Sequence, residues 1–236
     1  MVWLIFSRDH AAMSKLSCIP LALLVPALFL DYVPKFDLWA AGVFYREGQG
    51  FFLERHPVVL FVYNAVPVIT WVFVLGFPLL LLLNALSASL TKRSGPFFCS
   101  NRVLLYLSLT LALGPGLLSW TLQDQWGRAR PREVMQFGGA KQFTSALTVS
   151  DQCESNCSFV SSHAAVGFYF LALSLVARRY RKTIAMASLF LGTGVGLARV
   201  AQGSHFLSDV IFSAVLTYGV AYLLYRVIIH ERLEES

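Results

Sequence analysis

From Pro57 to Leu86 the chain carries no charged side chain. A bilayer core is crossed by about 20 mostly apolar residues in helical form, and an amphipathic surface helix would have shown a polar face well within that length. Runs of the same kind cover roughly residues 16–33, 103–122, 161–177, 183–198 and 206–229, making six with the first. Hydrophobic residues are 56% of the 236 and charged ones 14%, so a soluble fold would have to hide all six runs in one small domain. The expected fold is all-α, an integral membrane bundle of six transmembrane helices.

Lys15 precedes the first run, but "LDYVPKFDL" follows it instead of a small-residue cleavage site, so it is read as a retained helix. The chain then reads as a single membrane domain over 1–236. Residues 16–56 form an N-terminal helix plus a segment lying along the membrane interface, where Trp39, Phe44, Tyr45, Phe51 and Phe52 mix with charges. The alternative for that segment is a simple connector between spans. Residues 57–229 form the core.

With a cytoplasmic N-terminus, the concentrated basic turns "TKR" (91–93) and "ARRYRK" (177–182) fall inside, as the positive-inside rule requires. The long polar segment from Gln123 to Val160 then lies outside, facing the periplasm of a bacterial inner membrane. It holds Cys153 and Cys157, four residues apart, which in an oxidising compartment close a small disulfide ring. Two free thiols or half a metal site are the alternatives. The net charge of +6 suits an anionic lipid surface, and no nucleic-acid motif accompanies it.

Three polar constellations fall on that outer side. In "QDQWGRARPRE" (123–133), Arg128, Arg130 and Arg132 offer planar forks of donors suited to phosphate, or else snorkel toward headgroups. In "CSFVSSHAAV" (157–166), Ser161 and Ser162 open a helix whose free amides attract anions, and His163 follows; the plain alternative is an N-cap. In "LARVAQGSHFLSDV" (197–210), Arg199 precedes His205, and Asp209 stands one helical turn beyond it. A carboxylate there can keep one imidazole nitrogen protonated and free the other for attack, although the two could also be a satisfied polar pair. Arginines, two histidines, serines and a carboxylate at one membrane face make a site for a phosphorylated group. The sequence shows no acidic cluster suited to Mg²⁺ and no zinc ligand set, so the expected chemistry passes through a phosphohistidine with no cofactor.

In order and spacing these residues resemble the type 2 phosphatidic acid phosphatases, whose signature reads K-x6-R-P, P-S-G-H and S-R-x5-H-x3-D. Arg130-Pro131, Ser161 with His163, and Arg199, His205 and Asp209 fit its three parts. The resemblance implies His205 as nucleophile oriented by Asp209, and His163 as the acid that protonates the leaving lipid. It also implies Arg130, Arg199, Ser161 and amides near Ser162 as phosphate binders. Gln123 stands where the family has lysine, with Arg128 expected to compensate; Ser162 replaces a glycine, and Val160 and Ala198 replace a proline and a serine. The loop "FGGAKQF" (137–143) and "FDLWAAGVFY" (36–45) are most similar to bacterial lipid A phosphatases, which act on the 1- or 4′-phosphate at the periplasmic face. The implied activity is metal-independent hydrolysis of a lipid phosphate, with a phosphorylated lipid as partner and no obligate protein partner. Undecaprenyl pyrophosphate or phosphatidylglycerol phosphate as substrate, a phosphotransferase, and a non-catalytic lipid-phosphate binder or transporter remain as alternatives.

Overall fold

The computed structural model describes residues 35–91 and 99–230, and the apolar run expected at 16–33 lies outside them. The chain is mostly helical. Among the described residues four helical stretches are long and apolar enough to cross a membrane: Pro57–Leu90, Asn101–Gln125, Arg178–Ala201 and Leu207–Ile229.

A short helix α1 (Lys35–Gly42) leads into a hairpin of β1 (Tyr45–Arg46) and β2 (Gly50–Phe51), with Tyr45 opposite Phe51. The aromatics expected along the interface divide here. Trp39 and Phe52 face outward, whereas Phe51 is buried and stacks edge-on against Tyr45 and Phe137.

Helix α2 (Pro57–Thr91) follows, its apolar stretch almost uncovered by protein, whereas half of the corresponding stretch is covered in the second and fourth spans. Phe61, Trp71, Val72 and Leu75 point away from the protein, which suits a helix that faces lipid. The second span is α3 (Asn101–Leu111), a π-helical turn over Ala112–Leu118, and α4 (Ser119–Gln125). Pro115 has no N–H to offer Leu111, so the ladder slips to wider bonds around the Gly-Pro-Gly sequence. Ser119 restores one bond by donating its hydroxyl to the Gly114 carbonyl at 3.1 Å.

The run expected as a span at 161–177 is shorter, and it is broken at Phe170 into α5 (Ser162–Tyr169) and α6 (Leu171–Val176). Ser162–Val176 covers only about 22 Å at 1.5 Å per residue, against a hydrocarbon core of about 30 Å. It is the central element, with Ala164, Ala165, Phe168, Leu171 and Leu175 all buried. Helix α7 (Arg181–Ala201) crosses it at a glycine pair: a Cβ on Gly167 would lie 2.6 Å from the Gly192 Cα. Close backbone approach through small residues is the usual way for helices to associate in lipid. Ser188 adds a hydroxyl bond to the Gly167 carbonyl at 3.2 Å.

Helix α8 (Leu207–Leu224), continued as a π-helical stretch to His230, completes the bundle. Its Tyr218 packs with Tyr106, Leu171 and Val210 in the main core. The Tyr106 hydroxyl lies 3.2 Å from both the Ala172 and Ala221 carbonyls, so one phenol ties three helices together. Between α7 and α8 the chain turns in five residues, helped by Gly203 at φ +63°, where a side chain would strike the Phe51 ring. That turn delivers His205 and the start of α8 to the same end of the bundle as the long polar segment.

Candidate active site

His205 sits in the α7–α8 turn, 2% exposed, with its Nδ1 2.6 Å from the Ser158 carbonyl oxygen. A carbonyl can only accept, so Nδ1 carries the proton and Nε2 keeps its lone pair. Burial, together with the positive charges of Arg199 and Arg130, pushes the His205 pKa well below the ordinary histidine value. The imidazole is neutral at neutral pH, the form a nucleophile needs.

Asp209 was expected to orient His205 directly. Its Oδ2 is 3.9 Å from Nδ1, too far for a hydrogen bond. That oxygen instead accepts from the Ser158 hydroxyl at 2.5 Å and the Phe206 N–H at 2.8 Å. The carboxylate therefore acts one residue removed: it fixes Ser158 and the turn, and the Ser158 backbone fixes the ring.

Near this histidine, close enough for their charges to act on it, Arg130 and Arg199 line a cleft of ≈ 240 Å³ whose walls also include Arg132, Gln202, Ser204, Tyr63 and Glu54. Arg130 is held by the loop that the cysteines close, its Nε 3.0 Å and Nη2 2.5 Å from the Asn156 carbonyl. Cys153 and Cys157 are bonded to each other, with Cα atoms 5.7 Å apart. Arg199 donates to the Gln202 side chain and lies 4.7 Å over the Tyr63 ring. On the same Tyr63 ring stacks His163, centroids 5.0 Å apart and nearly parallel. His163 Nε2 and Arg199 Nε are buried with no hydrogen-bond partner among the described residues. The three segments singled out from the sequence thus meet: Arg130, Arg199 and Tyr63 line the cleft, His163 stacks on Tyr63, and His205 feels the charges of both arginines.

Residues 103–232, just over half of the chain, match the family model of the PAP2 superfamily. The chain belongs to the PAP2 superfamily. Among curated proteins it is 31% identical over 208 residues to a lipid A 4′-phosphatase of Francisella tularensis subsp. novicida, covering 87% of this chain and 91% of that protein. A lipid A 4′-phosphatase of Rhizobium leguminosarum is 39% identical over 43% of this chain and 45% of its own length. A lipid A 1-phosphatase of Rhizobium johnstonii is 34% identical over 54% of this chain and 48% of its own. No solved structure matches.

The PAP2 match contains Arg130, His163, Arg199, His205 and Asp209, but other expected phosphate binders take different places. Arg128 is corrected: its guanidinium is fully buried and directed away from the cleft. It donates to Asp209 Oδ1 at 2.5 Å, Ser208 Oγ at 2.9 Å, Asp37 Oδ2 at 2.7 Å and the Thr144 carbonyl at 2.9 Å. Burial opposes that charge, but the Asp209 and Asp37 carboxylates outweigh it and raise the pKa above the usual arginine range. It therefore does not compensate for the missing lysine. Gln123 spends its amide on the Val160 carbonyl at 2.5 Å and the Ser162 hydroxyl at 3.3 Å, bracing the entry to α5 instead of lining the cleft. Ser161 is the N-cap of α5, its hydroxyl oxygen accepting the Ala164 N–H at 3.4 Å.

Several residues that hold or line the candidate site were not singled out from the sequence: Ser158, Asn156, Gln202, Tyr63 and Asp37. The first three act through a carbonyl or an amide in irregular backbone, which leaves no spacing signal. Tyr63 lies inside an apolar run, where an aromatic reads as membrane anchor. Asp37 alone had a visible signal, a carboxylate in an aromatic stretch, and its partners lie far along the chain.

Proposed function

We propose that this chain is a lipid A phosphatase that removes the 4′-phosphate through a covalent phosphohistidine. The observation that carries the reading is His205: buried, neutral, its Nδ1 engaged by a carbonyl, and under the positive charges of Arg130 and Arg199. Support for lipid A comes from the relative aligned over 87% of this chain, and the lipid A 1-phosphatase resemblance covers only 54%.

In the first step Nε2 of His205 attacks phosphorus and an N–P bond forms. The P–O bond to the sugar breaks, and His163 gives its proton to the departing oxygen. Arg130 and Arg199 face the non-bridging oxygens, whose charge they stabilise more strongly as it spreads in the transition state. In the second step water attacks the phosphohistidine. His163 takes the water's proton, inorganic phosphate leaves, and His205 is regenerated.

The cleft faces the periplasm in this reading, on the inner membrane of a bacterium. The Cys153–Cys157 disulfide lies on the same side as the cleft, and such bonds persist in oxidising compartments. The six-span layout stays part of this reading: four long helices support it, the short central α5–α6 would be a fifth element, and the sixth run, 16–33, lies outside the described residues. The single-domain reading is supported by α1 and the hairpin, which pack on the loop at 129–137 and on Phe206.

Mass spectrometry of lipid A from cells with and without this protein tests the substrate, with loss of one phosphate, mapped to the distal glucosamine, as the expected outcome. Unchanged lipid A with altered isoprenyl phosphates would point to the rival substrate. Release of orthophosphate by the purified protein in EDTA, with no acceptor lipid, separates hydrolysis from phosphotransfer.

The disulfide ring has its own consequence. Replacing both Cys153 and Cys157 by serine loosens the Asn156 carbonyl that holds Arg130. Phosphate binding then weakens while the nucleophile is untouched. The expected outcome is a KM raised about tenfold, the worth of one charged hydrogen bond, with kcat changed less. Steady-state assays of the double variant in detergent check it.

A further inference from the structure

Asp37 lies in the first turn of α1, outside the region that matches the PAP2 superfamily, yet its carboxylate is 1% exposed. One oxygen accepts the Ser208 backbone N–H at 2.8 Å, in the first turn of α8. The other accepts from the Ser208 hydroxyl and from Arg128 Nη2 at 2.7 Å. Arg128 in turn binds Asp209 at 2.5 Å, Asp209 binds the Ser158 hydroxyl at 2.5 Å, and the Ser158 carbonyl takes the His205 Nδ1 proton at 2.6 Å. Every link in this series is a direct hydrogen bond between buried groups. Two carboxylates share one guanidinium, so the position of Asp209 depends on how Arg128 is divided between them.

We propose that Asp37 is a positioning residue for the reaction. Through Arg128 and the N-terminal turn of α8 it holds Asp209, Ser158 and the His205 ring in line for attack on phosphorus. The segment ahead of the matched region is thereby part of the active site and more than a membrane-surface connector. This inference rests on His205 being the nucleophile. A purely structural ion pair, docking α1 onto the bundle, would use the same contacts but would leave turnover per folded molecule unchanged.

The test is the Asp37→Asn variant of the full chain, purified in detergent and normalised to the monodisperse fraction on size exclusion. Asparagine is close to isosteric and can still accept the Ser208 N–H, so it removes the charge and leaves the shape. Misplacing a reacting group by about an ångström costs on the order of 10²-fold in rate, and a kcat loss approaching that size is expected. KM for lipid substrate and the inhibition constant of orthophosphate stay unchanged, because Arg130 and Arg199 are not in the series. A kcat within twofold of wild type, or KM and phosphate inhibition weakening in step with kcat, overturns the proposal. Should Asp37→Asn aggregate, Ser208→Ala breaks one link with all charges in place. Its expected result is a several-fold loss of kcat at constant KM, and full turnover overturns the proposal. His205→Ala runs in the same assay. If that variant turns over normally, the nucleophile assignment falls and this inference with it; if it is dead and Asp37→Asn is normal, positioning by Asp37 falls alone.

Discussion

Replacing His205 by alanine removes phosphate release almost completely, a loss on the order of 10⁴–10⁶-fold, as expected when a covalent nucleophile is deleted. The residual rate comes from the cleft's ability to bind and polarise phosphate without forming the N–P bond. His205→Asn is the sharper variant. An asparagine amide can still donate toward the Ser158 carbonyl, which now takes the Nδ1 proton at 2.6 Å, but it carries no nucleophilic lone pair. Equal inactivity of both variants at normal KM assigns the loss to chemistry instead of packing. Acid-labile phosphate trapped on the wild-type protein and absent from both variants completes the test; full activity in either variant rules the mechanism out. The pH profile adds a second reading. With His205 as the proposed nucleophile the neutral imidazole is the active form, and burial with Arg199 and Arg130 lowers its pKa. Protonation of His205 therefore ends activity only well below pH 6.5, the ordinary histidine value. An acid limb assigned to this residue at or above 6.5 would contradict the buried, arginine-flanked site.

How the sequence reading fared is clearest in "RARPR", residues 128–132. The three arginines look alike in sequence and have three fates. Arg128 is buried between carboxylates, Arg130 lines the cleft while held by the Asn156 carbonyl, and Arg132 stands half exposed at the same cleft, 3.7 Å from Glu54. In irregular backbone, spacing sets no direction for a side chain, so residue type alone did not say which arginine enters the cleft and which is buried among carboxylates. His163, Arg199 and His205 stood out as candidates because ionisable groups at the ends of apolar helices are costly, and the fold brings all three to the same end of the bundle. Asp37 did not stand out, because its meaning depends on Arg128 and Ser208, 91 and 171 residues away. The four long spans followed from uncharged length alone. The break at Phe170 did not, since α5 and α6 are continuous in hydropathy and it is the crowded α7 crossing that surrounds them.

Arg128→Ala is expected to destabilise the protein severely, by about 3–5 kcal/mol, because it leaves buried carboxylates without their counter-charge. Asp37 and Asp209 are 1% and 0% exposed, and both bond to the one guanidinium. Its removal strands two negative charges in the same buried region, with hydroxyls and backbone amides as their remaining partners. Arg132→Ala is the built-in control. Its pair with Glu54 spans 3.7 Å between side chains 42% and 50% exposed, and such surface pairs contribute about 0–1 kcal/mol. Thermal unfolding in detergent should therefore separate two arginines four residues apart: a large fall in Tm or loss of folded protein for Arg128→Ala, and little change for Arg132→Ala. Adding Asp37→Asn to Arg128→Ala should recover part of the loss, since one of the stranded charges is gone; coupling of this sign is what a shared guanidinium requires. If Arg128→Ala proved as stable as Arg132→Ala, the buried network would be energetically idle, and the route from α1 to the nucleophile would lose its physical basis.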